Sequence, residues 1–252
     1  MPELHHLGND TYGVTGLRHI AGIGVNAGFI LTSETIVHID SGMTISDGEY
    51  LIETSKEKTT TQDKVLLILT HHHSDHIFGM SVFKEAGAKV IAHDNLRKFL
   101  THRRLPSFKT LRDSYKPFIV KMMVNRFSYT KERAERELGD VKLFPPDQVF
   151  KDDTTLQVDD RELLLLHTPG HVPSEISIYH PKSQTLFAGD AIYEGMPLTT
   201  RFGGPKEWKQ WINSLEKLER LDAKTIVPGH GRICKKDEIT RNIEYLKGLL
   251  NK

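Results

Sequence analysis

The feature that most constrains this chain is a run of metal-binding side chains placed directly after an apolar strand. Residues 65–70 read VLLILT, a continuous apolar run typical of a strand that is covered on both faces, and HHHSDH follows it. Alternate side chains of an extended segment point the same way, so we expect His71, His73 and Asp75 to face one point, with His76 beside them. Imidazole and carboxylate groups at this spacing are suitable ligands for divalent metal ions.

Three later strands carry matching groups at their ends. Each of these apolar strands runs into a glycine-containing turn with a histidine or an aspartate, and these residues are His171, Asp190 and His230. Sites in α/β sheets gather beyond the carboxyl ends of strands, so the four chain segments are expected to meet at one place. The chain has one cysteine, Cys234, which excludes a cysteine-based zinc site. The sequence therefore predicts a metal site built from His and Asp.

The remaining histidines are predicted to lie outside this site. His72 is out of phase with the alternating pattern, so its side chain is expected to point away from the metal ions. A lone histidine is most often exposed or satisfied within the core, and we expect this of His5, His6, His19, His38, His93, His102, His167 and His180.

The chain is predicted to form a single α/β domain over residues 1–252. A helix is expected to follow the metal-binding run, from Asp75 as its N-cap to about Ala86. The segment at residues 94–143 has a helical pattern and no strand signal. Within it, residues 97–136 carry twelve Lys or Arg against three acidic residues, a local net charge of +9. We interpret this segment as a basic helical insertion.

Overall composition limits the classes of partner. The net charge of +1 predicts no general affinity for nucleic acid or membranes. No run approaches the roughly 18 to 20 apolar residues that a membrane span needs. The start, MPELHHLGND, lacks the basic cluster and apolar stretch of a secretory signal. Together with the single cysteine, these features predict a cytoplasmic protein, with a secreted protein that has no disulfides as the alternative.

The motif His-x-His-x-Asp-His, followed by a histidine, an aspartate and a histidine at later strand ends, resembles the metallo-β-lactamase-fold hydrolase superfamily. The glyoxalase II and N-acyl homoserine lactonase branches are the most similar. The resemblance covers about residues 26–231 and implies a four-layer αββα sandwich, with the helical segment as a mid-chain insertion. It also implies two metal sites, the first holding His71, His73 and His171, the second holding Asp75, His76 and His230, and both sharing Asp190.

The activity implied by the resemblance is that of a metal-dependent hydrolase. A hydroxide held between two divalent metal ions would attack a small ester, lactone or thioester. Zinc is the first expectation, with iron or manganese as alternatives. Asp75 and Asp190 would offset the charge of the metal ions and help to manage the proton. Tyr193 has the spacing from Asp190 of a lactonase tyrosine that is aimed at the substrate carbonyl, and packing on the core is equally open for it.

Two alternative activities stay open at this point. A phosphodiesterase or nuclease of the same fold would bind nucleic acid through the basic insertion in a salt-sensitive way. A mononuclear iron oxygenase, similar to the persulfide dioxygenases, would hold one iron ion per chain and consume oxygen. Asp190 counts against a true β-lactamase, because those enzymes usually lack the shared aspartate.

Basic side chains also suggest an anionic substrate. The candidates are Arg201, and in the insertion Arg103, Arg104, Lys109 and Arg112, although a solvated helix face is the simpler interpretation of the latter. The apolar stripe at residues 118–127 is most simply a helix face packed on the core, and it would alternatively cover a substrate pocket or support a homodimer.

Overall fold

The computed structural model describes residues 2–19, 22–59, 64–101, 117–126, 128–139 and 141–251. The strands are β1 (Glu3–His6), β2 (Thr11–Leu17), β3 (Val25–Leu31), β4 (Thr35–Ile39), β5 (Lys64–Leu69), β6 (Lys89–His93), β7 (Gln148–Phe150), β8 (Thr154–Val158), β9 (Arg161–His167), β10 (Ile176–His180), β11 (Thr185–Tyr193) and β12 (Thr225–His230). The helices are α1 (Ile45–Lys56), α2 (Ser74–Ile77), α3 (Met80–Glu85), α4 (Asp94–Phe99), α5 (117–126), α6 (Lys131–Gly139), α7 (Pro205–Glu219) and α8 (Asp237–Leu250).

The strands form two sheets. The first has the order β1-β2-β3-β4-β5-β6-β7, antiparallel as far as β4 and parallel beyond it. The second has the order β12-β11-β10-β9-β8 and is antiparallel except where β11 pairs with β12. The parallel strand β5 of one sheet and the parallel pair β11 and β12 of the other supply three of the four strand ends at which ligands were predicted.

Side chains from both sheets share one apolar layer, which places the sheets face to face. Ile68 on β5 and Phe187 on β11 belong to this layer between the sheets. The neighbours Leu67 and Leu69 point the other way and pack with helices α1 and α3. Trp211 on α7 packs with α8 on the outer face of the second sheet. The resulting order of helix, sheet, sheet and helix confirms the predicted four-layer α/β sandwich.

The helix expected from Asp75 to Ala86 is divided in the structure, so this prediction was wrong. It is two short helices, α2 and α3, that meet at Gly79. The N–H of Gly79 donates to the carbonyl of Gly42 at 3.1 Å, and a Cβ at Gly79 would overlap the carbonyl oxygen of Ser41. This close tertiary approach interrupts the helical ladder, which local sequence does not reveal.

Asp75 is also not an N-cap, contrary to the prediction. Helix α2 begins at Ser74, with His73 as its N-cap, and Asp75 lies in the first turn. Its carboxylate instead faces histidine rings, with Oδ2 3.4 Å from His230 Nε2. The Asp75 side chain therefore contacts the cluster of histidines and does not cap the helix.

Helices α4, α5 and α6 lie between β6 and β7, as expected for the helical segment. Ile119, Met123 and Tyr129 form a small apolar cluster there, and Phe118 is 59% exposed. The segment is anchored to the body by Glu137, which accepts from Ser46 N at 2.7 Å at the start of α1.

Several expectations about the helical segment and the whole chain stay predictions. The homodimer, the single-domain organisation and the cytoplasmic location belong to this group. Arg103, Arg104, Lys109 and Arg112 lie outside the described residues. Among those that are described, no helix has both the length and the apolar character that crossing a membrane requires.

Candidate metal centre

The structure brings all seven predicted ligand residues together at one end of the two sheets. They fall into two sets within which every ligand atom lies within 4.8 Å of the others. We call them the first group (His71, His73, His171 and Asp190) and the second group (Asp75, His76 and His230). All of these side chains are buried except that of His73, which is half-buried. Both groups are therefore able to hold a metal ion.

Asp190 lies between the two groups. Its Oδ2 is 3.2 Å from His171 Nε2 and 3.7 Å from His71 Nε2, on the side of the first group. Its Oδ1 is 3.2 Å from His76 Nε2 and 3.3 Å from His230 Nε2, on the side of the second. One carboxylate thus faces both candidate sites, as predicted for this residue.

Glycine makes room for Asp190. A Cβ at Gly229, in β12, would overlap Asp190 Oδ1, so a larger residue there would push the carboxylate out of place. Gly189, directly before Asp190, has a positive φ of 55° in an irregular part of β11. This backbone turn redirects the strand end towards the histidines.

The nitrogen and oxygen atoms of the centre fit metal ions. His71 Nε2, His76 Nε2 and Asp190 Oδ1 are buried and have no hydrogen-bond partner among the described residues, although buried polar atoms normally have one. Tetrahedral zinc with bonds of about 2.0 to 2.1 Å separates its ligand atoms by about 3.3 to 3.4 Å. The distances from Asp190 to the imidazole nitrogens, 3.2 to 3.7 Å, bracket this value.

Oxygen atoms behind the rings of the second group orient them. The Nδ1 of His76 lies 2.7 Å from Asp40 Oδ2, and the Nδ1 of His230 lies 2.5 Å from the carbonyl of Gly24. Asp40 is itself held by Thr70, whose N and Oγ1 donate to it at 2.8 and 2.7 Å. An acceptor at Nδ1 keeps the proton there and leaves the Nε2 lone pair directed into the site.

Burial dominates the ionisation of two histidines of the first group, His71 and His73. Loss of solvent, helped by the neighbouring His76, holds the pKa of His71 well below its usual range. The same effect, helped by His171, lowers the pKa of His73 to about 3. These imidazoles are therefore neutral at pH 7, the form that binds metal.

Carboxylates dominate the ionisation of the second group. Burial opposes protonation of His76, but the charges of Asp40, Asp190 and Asp75 outweigh it and raise its pKa well above the usual range. Burial is likewise outweighed at His230, chiefly by Asp190, and the pKa rises to about 10. Positive charge is therefore favoured on this side of Asp190.

Tyr193 is buried at 2% exposure, and its hydroxyl donates to Asp190 Oδ2 at 2.6 Å. The ring packs in the core while the hydroxyl reaches the centre, and its role towards a substrate carbonyl stays a prediction. Asn242 on α8 holds the Tyr193 backbone, accepting from its N–H and donating to its carbonyl, each at 3.0 Å. Burial, with the charge of Asp190, raises the pKa of Tyr193 well above its usual range.

Phe202 and His19 lie beside the centre but were not identified from the sequence, whereas Arg201 was a candidate. The ring of Phe202 is 47% exposed and lies 4.4 Å from that of His73, between centroids. The guanidinium of Arg201 lies 4.7 Å from the Phe202 ring centroid, so the loop that carries both is next to the first group. His19 was expected to lie elsewhere, but its Nε2 is 3.5 Å from Asp75 Oδ2.

His72 lies outside both groups, consistent with its out-of-phase position. Its Nδ1 is 2.7 Å from Ser174 Oγ, and its ring lies 4.1 Å from that of Phe99, between centroids. It therefore supports the loop between β9 and β10 rather than supplying a ligand atom.

The family model of the metallo-beta-lactamase superfamily matches residues 21–230, and the chain belongs to this superfamily. A Caenorhabditis elegans relative, beta-lactamase-like protein 2 homolog, is 26% identical over 228 residues, which are 89% of this chain and 61% of the relative. The chain thus spans about three fifths of that relative's length. Hydroxyacylglutathione hydrolase GloC of Haemophilus influenzae is 27% identical over 172 residues, 66% of this chain and 68% of that protein.

Solved structures share the fold. A metallo-beta-lactamase from Pontibacter korlensis superposes with a TM-score of 0.68, covering 98% of this chain and 99% of that one, at 19% sequence identity. At this level of identity the likeness concerns the fold alone, and it agrees with the αββα sandwich described above.

Proposed function

We propose that this protein is a metal-dependent hydrolase that cleaves a small ester, lactone or thioester. The observation that carries the proposal is the position of Asp190, whose two oxygens each lie 3.2 Å from an imidazole nitrogen of a different group. A carboxylate shared in this way suits two cations held side by side. Membership of the superfamily and the name of the Haemophilus influenzae relative, a hydroxyacylglutathione hydrolase, support a hydrolytic reaction.

We further propose two divalent metal ions, zinc first and iron or manganese as alternatives. Five imidazoles and two carboxylates, with no thiolate, form a ligand set that all three metals accept. When bound, a pair of such ions lowers the pKa of a water molecule towards 7 and polarises the carbonyl under attack. The first group would hold one ion and the second group the other, with Asp190 shared.

The protein's own groups would then handle the proton and the developing charge. Burial opposes ionisation of Asp75 and Asp190, but the surrounding histidines outweigh it and keep both pKa values below the usual range, so both are ionised at pH 7. They would orient the attacking water and accept its proton. Tyr193 keeps its proton, and its hydroxyl would donate to the substrate oxygen that gains negative charge.

The surface around the centre favours a substrate with an apolar part. Phe202 is one of four large apolar side chains described as exposed, and it lies directly beside His73. An aromatic ring in this position would pack against the acyl or leaving group and hold it over the metal ions. Arg201, next to it, would attract a negatively charged end of the same molecule.

The test combines metal analysis with a substrate panel. Protein purified without added metal is analysed for elements, and the same sample is assayed with lactones, thioesters, esters and phosphodiesters. We expect about two metal ions per chain and hydrolysis of at least one acyl substrate. The variant Asp190→Asn should lose activity by at least about 10³-fold, the upper end of what removing one transition-state contact costs. The exposed Asp152→Asn is the matched control and should behave as the unaltered protein.

Other outcomes identify the alternatives. One iron ion per chain with oxygen consumption would replace the proposal with an oxygenase. Cleavage of phosphodiesters, with nucleic-acid binding that weakens steeply as salt is added, would replace it with a nuclease. Full activity of metal-free protein would end it altogether.

A further inference from the structure

Glu175 is a buried carboxylate that contacts two residues of the first group but belongs to neither predicted ligand set. It is 0% exposed and lies in the loop between β9 and β10. Its Oε1 accepts from the backbone N–H of Asp190 at 3.1 Å, and its Oε2 lies 3.4 Å from His71 Nδ1. A Cβ at Gly189 would overlap Oε1, so the glycine before Asp190 leaves the space that Glu175 fills.

Glu175 lies on the Nδ1 side of His71, as Asp40 lies on the Nδ1 side of His76, and both Nε2 atoms point towards Asp190. The contact of Glu175 is longer, at 3.4 Å against 2.7 Å, and the hydrogen-bond partner of His71 Nδ1 is Thr70 Oγ1 at 3.1 Å. Because a carboxylate can only accept a hydrogen bond, Glu175 supports the tautomer of His71 with the proton on Nδ1 and the lone pair on Nε2. Its Oε2 is buried and has no hydrogen-bond partner among the described residues.

We propose that Glu175 is a positioning residue that sets the metal affinity of the first group, by supporting the orientation of His71 and of the Asp190 backbone. This inference rests on the proposed two-metal centre. Replacing a carboxylate that supports a metal ligand typically weakens metal binding 10- to 100-fold, and we expect this range for Glu175→Gln. The glutamine amide would also present a donor to His71 Nδ1, which favours the wrong tautomer.

The experiment measures metal affinity directly, without reference to turnover. Metal-free protein is titrated with Zn²⁺ in competition with a chromophoric chelator, in the unaltered chain and in Glu175→Gln. Both are also compared in the His230→Ala background, which retains the first group only. The control is Glu162→Gln, an exposed glutamate on β9 with the same change of charge and no described contact with the centre. We expect the dissociation constant for Zn²⁺ to be 10- to 100-fold larger with Glu175→Gln in both backgrounds and unchanged with Glu162→Gln.

Folding is checked by circular dichroism and by the rise in melting temperature that Zn²⁺ produces, which should be smaller in the Glu175 variant. If Glu175→Gln does not fold, Glu175→Ser, which removes the carboxylate without burying an amide, is expected to show the same loss of affinity. Unchanged Zn²⁺ affinity in either folded variant overturns the role of Glu175. Failure of the unaltered chain to bind two ions would instead refute the proposed centre.

Discussion

His71 and His76 are both fully buried, and their ring centroids are only 4.2 Å apart, yet their pKa values move in opposite directions. Burial keeps His71 neutral, with help from the histidines around it. His76 faces Asp40, Asp75 and Asp190, whose charges overcome the same burial. The pair teaches that the neighbouring charges, rather than depth in the protein, distinguish the first group from the second.

The strongest test of the division into two groups is to remove one ligand from each group, in separate variants. His71→Ala should leave the second group as the single site, and His230→Ala should leave the first. We expect about one metal ion per chain in either variant, and loss of hydrolysis by at least about 10³-fold, because the shared centre needs both ions. Elemental analysis and initial rates provide the measurements, with circular dichroism to establish that the fold persists. Retention of two ions by either variant would contradict the division into groups.

The Tyr193 hydroxyl contacts Asp190, the carboxylate that faces both candidate metal sites, and a variant without the hydroxyl tests this contact. Tyr193→Phe keeps the buried ring but removes the donor to Asp190, so kcat should fall by about 10²-fold with little change in metal content. Steady-state kinetics and elemental analysis check this expectation. A variant with full kcat would mean that the phenol is only a packing residue.

The pKa difference predicts different pH dependences of metal binding. Below about pH 10, His230 of the metal-free protein carries a proton that a metal ion must displace, so affinity at the second group should fall by up to tenfold for each pH unit of acidification. His73, with a pKa near 3, holds no such proton between pH 5 and 8. Calorimetric titration in buffers of different ionisation enthalpy counts the released protons. We expect metal binding to release more protons from the His71→Ala variant, which retains the second group, than from the His230→Ala variant. Equal numbers would refute the pKa difference between the two groups.

The smallest expected effect concerns Phe202, which borders only the first group. Phe202→Ala should raise KM by about tenfold for an acyl substrate with an apolar part and leave kcat and metal content nearly unchanged, because only packing is lost. Kinetics with acyl chains of increasing length check the expectation. Tyr245→Ala, at an exposed aromatic residue on α8, is the control. An unchanged KM for every chain length would remove Phe202 from the substrate site.

Much of the centre could be predicted because its ligands have local signals. The alternating pattern after β5 and the glycine turns after later strands are short-range features that the sequence shows directly. Asp40 and Glu175 carry no such signal, since each acquires its role only by meeting a histidine 36 or 104 positions away in the chain. Strands β1 and β2 were missed because glycine and exposed polar residues weaken their alternation.

Asn242 on α8 makes two hydrogen bonds to the Tyr193 backbone, so the centre is complete only when α8 has folded onto it. His230 is oriented by the carbonyl of Gly24, which precedes β3, and Tyr193 is held by Asn242 on α8. The phenol therefore gains this support only after α8 has been synthesised and has packed on the second sheet. Nascent chains that stall before α8 would carry the histidines without a finished pocket.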